Sequence, residues 1–130
     1  MKLRVICKSK VHQATVTGAD LNYIGSIGMD ETLMKMTGIV AGEQVAVWNI
    51  NNGQRIGTYA IPLAADSGQM VVNGAAARHF SAGDRIIVAA FYLTDEVITP
   101  QMIMVDEHNR FVRRLEHNDP SAEFIGAAGR

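Results

Sequence analysis

Gln44-Val45-Ala46-Val47-Trp48-Asn49-Ile50, then Asn51-Asn52-Gly53-Gln54, then Arg55-Ile56-Gly57-Thr58-Tyr59-Ala60-Ile61: two runs rich in β-branched and aromatic residues flank an Asn-Gly pair. That arrangement is the strongest short-range signal for a tight hairpin. Successive side chains of a strand point to opposite faces, so Arg55 and Tyr59 share one face of the returning strand and Thr58 lies on the other unless a bulge intervenes. A site that uses all three then needs an irregular strand or a neighbouring subunit. Outward from the hairpin, similar patterns mark strands at residues 3–7, 11–17, 69–73 and 85–93, with possible additions at 103–105 and 111–115. Asp30 is placed to cap a short helix with Glu31 in its first turn, Leu33, Met34 and Met36 turned inward and Gly38 at its end. Residues 65–68 read as a turn and 74–79 as a single helical turn. Many short strands with only small helices make the chain mainly β and favour a closed barrel over an open sheet.

The 130 residues suit one domain, 1–130, with 48% apolar and 19% charged residues, a compact rather than disordered composition. Twelve Lys and Arg against thirteen Asp and Glu leave a net charge of −1, without a basic patch. This argues against nucleic acid or an anionic membrane as partner. The longest apolar run, residues 85–93, holds about eight apolar residues, where a membrane span needs roughly 20. The polar start of the chain carries no secretory pattern, so the expected location is cytoplasmic. Cys7 is the one cysteine and reads as buried filler in a strand. His12, His79, His108 and His117 lack paired ligand spacing, so no metal site is expected. Residues 24–28 lack the first glycine of a nucleophile elbow, and no phosphate-binding glycine loop is present. Beyond Thr94 the pattern loosens, and residues 117–130 read as a flexible tail.

Tyr23-Ile24-Gly25-Ser26-Ile27-Gly28-Met29-Asp30 holds the most informative chemistry. A serine hydroxyl beside a strained Gly-Ser bond can attack the preceding carbonyl and convert amide to ester. Elimination then leaves dehydroalanine, which hydrolyses to a pyruvoyl group and cuts the chain between Gly25 and Ser26. A lone Gly-Ser pair more often marks a turn. Its companions are Lys10-Val11-His12, Ala19-Asp20-Leu21-Asn22-Tyr23, Trp48-Asn49, Asn52-Gly53-Gln54-Arg55, Thr58-Tyr59-Ala60-Ile61 and Val72-Asn73-Gly74-Ala75-Ala76-Ala77. In this order and spacing they resemble the pyruvoyl-dependent aspartate 1-decarboxylases, from Lys2 to about Phe91. The resemblance implies a double-psi β-barrel assembled as a homotetramer with sites at subunit contacts. It also implies decarboxylation of L-aspartate to β-alanine and carbon dioxide, feeding pantothenate synthesis, with a pyruvoyl cofactor made from Ser26 rather than PLP or a metal.

Decarboxylation of an α-amino acid leaves a carbanion, and an imine between the substrate amine and the ketone made from Ser26 would take up its electrons. Arg55 can hold a carboxylate through two parallel hydrogen bonds, which selects an acidic substrate. Its target should be the side-chain carboxylate, since a clamp on the departing one would stabilise the ground state. A solvated hairpin charge is the plain alternative. The resemblance assigns Tyr59 the return of a proton to Cα, and places Thr58 near both junction and substrate, where its hydroxyl can polarise the Gly25 carbonyl during processing. Asn73 and the backbone of Gly74, Ala75 and Ala76 can bind the pyruvoyl oxygen or the substrate. Lys10 and His12 can add positive charge, Tyr23 can brace the new chain end, and Trp48 reads as a pocket wall.

Two departures stand out. Gln13 replaces the arginine more common after the histidine, and Gly28 replaces threonine or alanine, where added backbone freedom would relax the strain that drives the acyl shift. A substrate such as glutamate, one methylene longer, and an unprocessed barrel serving as a binding or scaffold module are the competing readings.

Overall fold

A computed structural model describes residues 1–22 and 24–116. In chain order its elements are β1 (Arg4–Thr15), β2 (Gly18–Asp20), β3 (Ser26–Asp30), α1 (Glu31–Thr37), β4 (Gln44–Asn49), β5 (Arg55–Leu63), β6 (Met70–Asn73), a 3₁₀ turn (Gly74–His79), β7 (Arg85–Thr94), β8 (Gln101–Val105) and β9 (Phe111–Arg114). The hairpin forms as expected, with β4 and β5 antiparallel from Gln44–Tyr59 to Trp48–Arg55 and no register shift. Its loop, however, takes five residues, 50–54, and not the Asn-Gly pair alone. The buried Asn49 side chain accepts the Asn51 N–H and donates to the His79 carbonyl and to Asp84 Oδ2, which ties the turn to the start of β7. Helix α1 starts and stops where the sequence indicates: Asp30 accepts from the Thr32 N–H, and Gly38, at φ 77°, closes the end. Leu33 and Met34 are buried, while Met36 packs partly buried against the core.

Three local expectations are corrected. Residues 3–7 and 11–17 belong largely to one strand, β1, which two bulges bend, between Cys7 and Ser9 and between Val11 and Ala14. At the first bulge Lys8 turns inward, 6% exposed, and pairs with Glu43 at 2.9 Å while donating to Ser9 Oγ and the Gly38 carbonyl. Such pairing is what makes a buried ammonium tolerable. At the second, Gln13 adopts φ 66° and its carbonyl accepts from the Arg85 guanidinium. The fold thus uses the backbone of Gln13, whatever its side chain. Residues 26–30, read above only as a junction, form the buried strand β3, parallel to β5 and antiparallel to β6. Gly28 is not loose there, since it pairs with Ile61 on one side and Val71 on the other. A Cβ at Gly28 would sit 2.8 Å from Leu63 Cδ1, so the leucine fills the space a side chain would need.

The hydrogen-bonded order is β2-β6-β3-β5-β4-β7-β1-β8-β9, so the pairing leaves the sheet open, with β2 and β9 at its ends. The sheet is nevertheless rolled. β1 and β6 stand five places apart, about 24 Å in a flat sheet. Yet Thr17, two residues beyond the end of β1, donates its N–H to the Met70 carbonyl of β6 at 2.8 Å. Two residues span at most about 7 Å, and only a rolled sheet meets that limit. One apolar cluster fills the inside, with Val11, Ile27, Met29, Val45, Val47, Met70, Val72, Ile86, Val88 and Ile103 all essentially inaccessible. Each such side chain stabilises the fold by about 1.5–3 kcal/mol relative to exposure.

Asp30, 2% exposed, ends β3 and accepts three backbone N–H groups, those of Thr32, Asp66 and Gly68. Truncating it would orphan all three. Asp30→Ala should therefore lower unfolding free energy by about 3 kcal/mol in a denaturant titration, whereas Glu31→Ala, at an exposed i,i+4 pair with Lys35, should change it by less than about 0.5 kcal/mol.

Candidate active site

Ser26 opens β3 opposite Asn73, the last residue of β6. It is 3% exposed although Gly25 before it lies in solvent, so the Gly25–Ser26 bond marks the point where the chain enters the protein. The Asn73 amide donates to Ser26 Oγ at a long 3.3 Å. On the other side β5 runs parallel, with Ile27 facing Ala60, which brings Tyr59 and Thr58 to the level of the junction. Gly74, at φ 74°, turns the chain from β6 into the 3₁₀ turn that carries Ala75 and Ala76. The sheet therefore gathers Gly25, Ser26, Thr58, Tyr59, Asn73 and the 74–76 backbone at one end.

Arg55 is not gathered with them. It lies four residues before Tyr59, about 13 Å along the strand, a distance longer than a four-carbon amino acid. Regular pairing also keeps Thr58 on the face opposite Arg55 and Tyr59, so the bulge that would reconcile all three is absent. The Arg55 guanidinium stacks 4.9 Å from the Trp48 ring, its register partner. Lys10 sits on β1, four places from β3 in the sheet order, between Ala89 of β7 and Met102 of β8. His12 is half-buried on the same strand. Tyr23 and the 117–130 tail lie outside the described residues. Cys7 is only half-buried; burial pushes its thiol up, opposed by Lys10 and by a bond to the Ser9 carbonyl.

Hydrogen bonding separates two populations of polar side chains. Lys8, Asp30, Asn49 and Asn109 are buried, with two or more partners each. Lys10, Arg55, Thr58 and Tyr59 make no hydrogen bond or ion pair among the described residues, and Tyr59 is 38% exposed. Free donors cost little when exposed, and they are what a bound carboxylate requires. Beside them, Gly57 lines an apolar groove of about 420 Å³ with Val5, Gln44, Phe91, Tyr92 and Leu93. Among the described residues, no three His, Cys, Asp or Glu side chains cluster as a metal site, and no helix is long and apolar enough to cross a membrane.

A buried serine directly after an exposed glycine on a small, rolled β-sheet, with the Thr58 and Tyr59 side chains brought to its level, is the arrangement that the decarboxylase motifs pointed to. Comparison with known proteins agrees: the family model described as aspartate decarboxylase matches residues 1–112, further than the motifs reached, and the chain belongs to that family. A protein named aspartate 1-decarboxylase from Acaryochloris marina is 48% identical over 113 residues, covering 84% of this chain and 86% of its own. One of the same name from Caldicellulosiruptor bescii is 47% identical over 120 residues, covering 89% and 94%. That from Burkholderia vietnamiensis is 40% identical over 119 residues, covering 88% and 93%.

The stacking of Arg55 on Trp48 is open to a direct check, because Trp48 is the sole tryptophan. Arg55→Ala uncovers one face of the indole and should move its emission to longer wavelength, with Gln54→Ala as the neutral control. Unchanged emission would mean that the stack does not persist in solution.

Proposed function

We infer that the chain is a self-processing decarboxylase that converts L-aspartate to β-alanine and carbon dioxide, the step that feeds pantothenate synthesis. The observation that carries this reading is Ser26, a buried serine directly after an exposed glycine, with its hydroxyl against an amide donor. Processing begins when Ser26 Oγ adds to the Gly25 carbonyl carbon and its proton passes to the Ser26 nitrogen. The C–N bond breaks and an ester remains. Loss of the Ser26 α-proton then expels the Gly25 carboxylate and leaves dehydroalanine; water replaces its nitrogen, which departs as ammonia. The Thr58 hydroxyl, with no partner among the described residues, polarises the Gly25 carbonyl during the first step.

The residues present suit a pyruvoyl group at position 26. Burial shields a ketone there, the Asn73 amide is within reach of its oxygen, and only the Asn73 carbonyl, 3.9 Å away, approaches a Cβ position at Gly25, which leaves room for a new chain end. Once formed, the group supplies a ketone that accepts the substrate's amino nitrogen and withdraws electrons from Cα. Asn73 and the backbone of Gly74, Ala75 and Ala76 orient that end of the substrate. Arg55 grips the side-chain carboxylate with two parallel N–H donors, and Tyr59 returns a proton to Cα. Lys10 and His12 add positive charge.

The 13 Å between Arg55 and Tyr59 supports a site shared between copies, with Arg55 and Lys10 of one subunit facing Ser26 and Tyr59 of the next. The exposed Val5, Phe91, Tyr92 and Leu93, which lie with Gln44 and Gly57 toward the Tyr59 end of the hairpin, offer the apolar surface such a contact needs. A homotetramer of double-psi β-barrels in the cytoplasm, each one domain over residues 1–130, is the assembly we infer; the roll of the sheet through Thr17 and Met70 supports the barrel.

Denaturing intact-mass measurement should resolve chains of 25 and 105 residues, the larger one trapped by a carbonyl-reactive amine. Ser26→Ala should stay whole and inactive, and appreciable turnover by that variant would falsify the mechanism. Tyr59→Phe should still be cut while kcat falls by about 10²–10⁴-fold. Arg55→Ala should raise KM for aspartate, and equal turnover of glutamate and aspartate would overturn the substrate assignment.

A further inference from the structure

Asn109 is a buried side chain outside the site that makes three hydrogen bonds, as many as Asp30 and Asn49. It lies in the turn between β8 and β9, is 1% exposed and holds φ 61°, a backbone region that asparagine tolerates better than most residues. Its Oδ1 accepts the Thr15 N–H at 2.7 Å, and its Nδ2 donates to the carbonyls of Thr15 at 2.9 Å and Gly68 at 2.8 Å. Gly68, in turn, donates its N–H to Asp30 Oδ2, and Asp30 N–H donates to the Gln69 carbonyl. The Gly68 backbone lies so close to the turn that a Cβ would meet the His108 carbonyl at 2.8 Å. Arg110 adds a bond to the Asp66 carbonyl. One side chain thus touches the end of β1, ten residues before the Gly25–Ser26 junction and with β2 between, and the loop that anchors the far end of β3 four residues after it.

We propose that Asn109 is a positioning residue for self-cleavage: by fixing Thr15 and, through Gly68, Asp30, it sets the separation of the ends of β1 and β3, the two anchored points between which the chain carries the junction. This rests on the cleavage reading above. Attack of a hydroxyl on its own preceding carbonyl requires near-contact geometry, and a misplacement of about 1 Å costs on the order of 10²-fold in rate. Once the bond is cut, Ser26 heads a separate chain and the junction no longer has to be held for attack. Asn109 therefore acts on the rate of maturation, and not on turnover by the mature enzyme.

The test follows newly made full-length protein by intact mass over time, and measures decarboxylation per trapped carbonyl. Asn109→Gly keeps the positive φ and removes all three bonds; Asn49→Ala removes a similarly buried asparagine bonded to His79, Asp84 and Asn51, away from both flanks of the junction. The expected result is cleavage at least about tenfold slower in Asn109→Gly, near wild-type cleavage in Asn49→Ala at a comparable loss of thermal stability, and kcat per carbonyl unchanged in both. Wild-type cleavage kinetics in Asn109→Gly, or equal slowing in both variants, overturns the proposal while leaving the cleavage reading intact. Wild-type protein that is never cut overturns both. Should Asn109→Gly fail to fold, Gly68→Ala, which forces the His108 carbonyl away, applies the same displacement from the other side, with the same slowing expected and the same outcomes deciding.

Discussion

One segment, residues 4–20, takes two places in the sheet, and the rest of the structure follows from that constraint. As β1 it is the seventh strand of the order; as β2 it is the first. Only Val16 and Thr17 separate the two, and both are bonded, Val16 to the Asp84 carbonyl and Thr17 to that of Met70. A flat sheet cannot satisfy this, so the strands roll around the apolar cluster. Bending so long a strand requires the bulges at Lys8 and at His12–Gln13, and each is locked by a cation, Lys8 itself and Arg85. Burial lowers the pKa of the Arg85 guanidinium, an effect Glu107 and Asp106 oppose.

A rolled sheet with an apolar interior tolerates few unpaired polar groups, since each costs about 1–3 kcal/mol. Asp30, Asn49 and Asn109 meet that demand by bonding to backbone at the ends of strands, where ladder pairing stops. Ser26 is the least committed of the fully buried polar side chains among the described residues. It is as buried as they are, yet its side chain has only one long bond, from Asn73. A hydroxyl so placed beside a chain entry point contributes little to the structure, which is consistent with the processing role proposed for it.

Much of the fold was legible in the residues. The 44–61 hairpin, the capped helix at 31–37, the turn after Asn73 and the β7 strand all follow from local signals, namely Asn-Gly, an Asp cap with a glycine stop, and β-branched runs. What escaped was non-local. β3 reads weakly because Gly25 and Gly28 break its pattern, and it is a strand only because β5 and β6 flank it. The glycine at 28 looked like freedom until Leu63 was found in the vacant space. Asn109, in an acidic turn that resembles any surface loop, carried no signal beyond the tolerance of asparagine for positive φ.

The motifs around Ser26, Tyr59 and Asn73 were likewise readable, and the strands bring them together in register. The sequence by itself determined the mainly β character, the hairpin, the helix and, through its motifs, the family, all carried by neighbours along the chain. The tertiary structure alone decided which strands lie beside Ser26, that residues 4–7 and 11–15 are one strand bent through two bulges, and that Arg55 stacks on Trp48 four residues along the strand from Tyr59. Those facts depend on distances between residues tens of positions apart, set by how the sheet rolls to cover its core, and no local pattern encodes them.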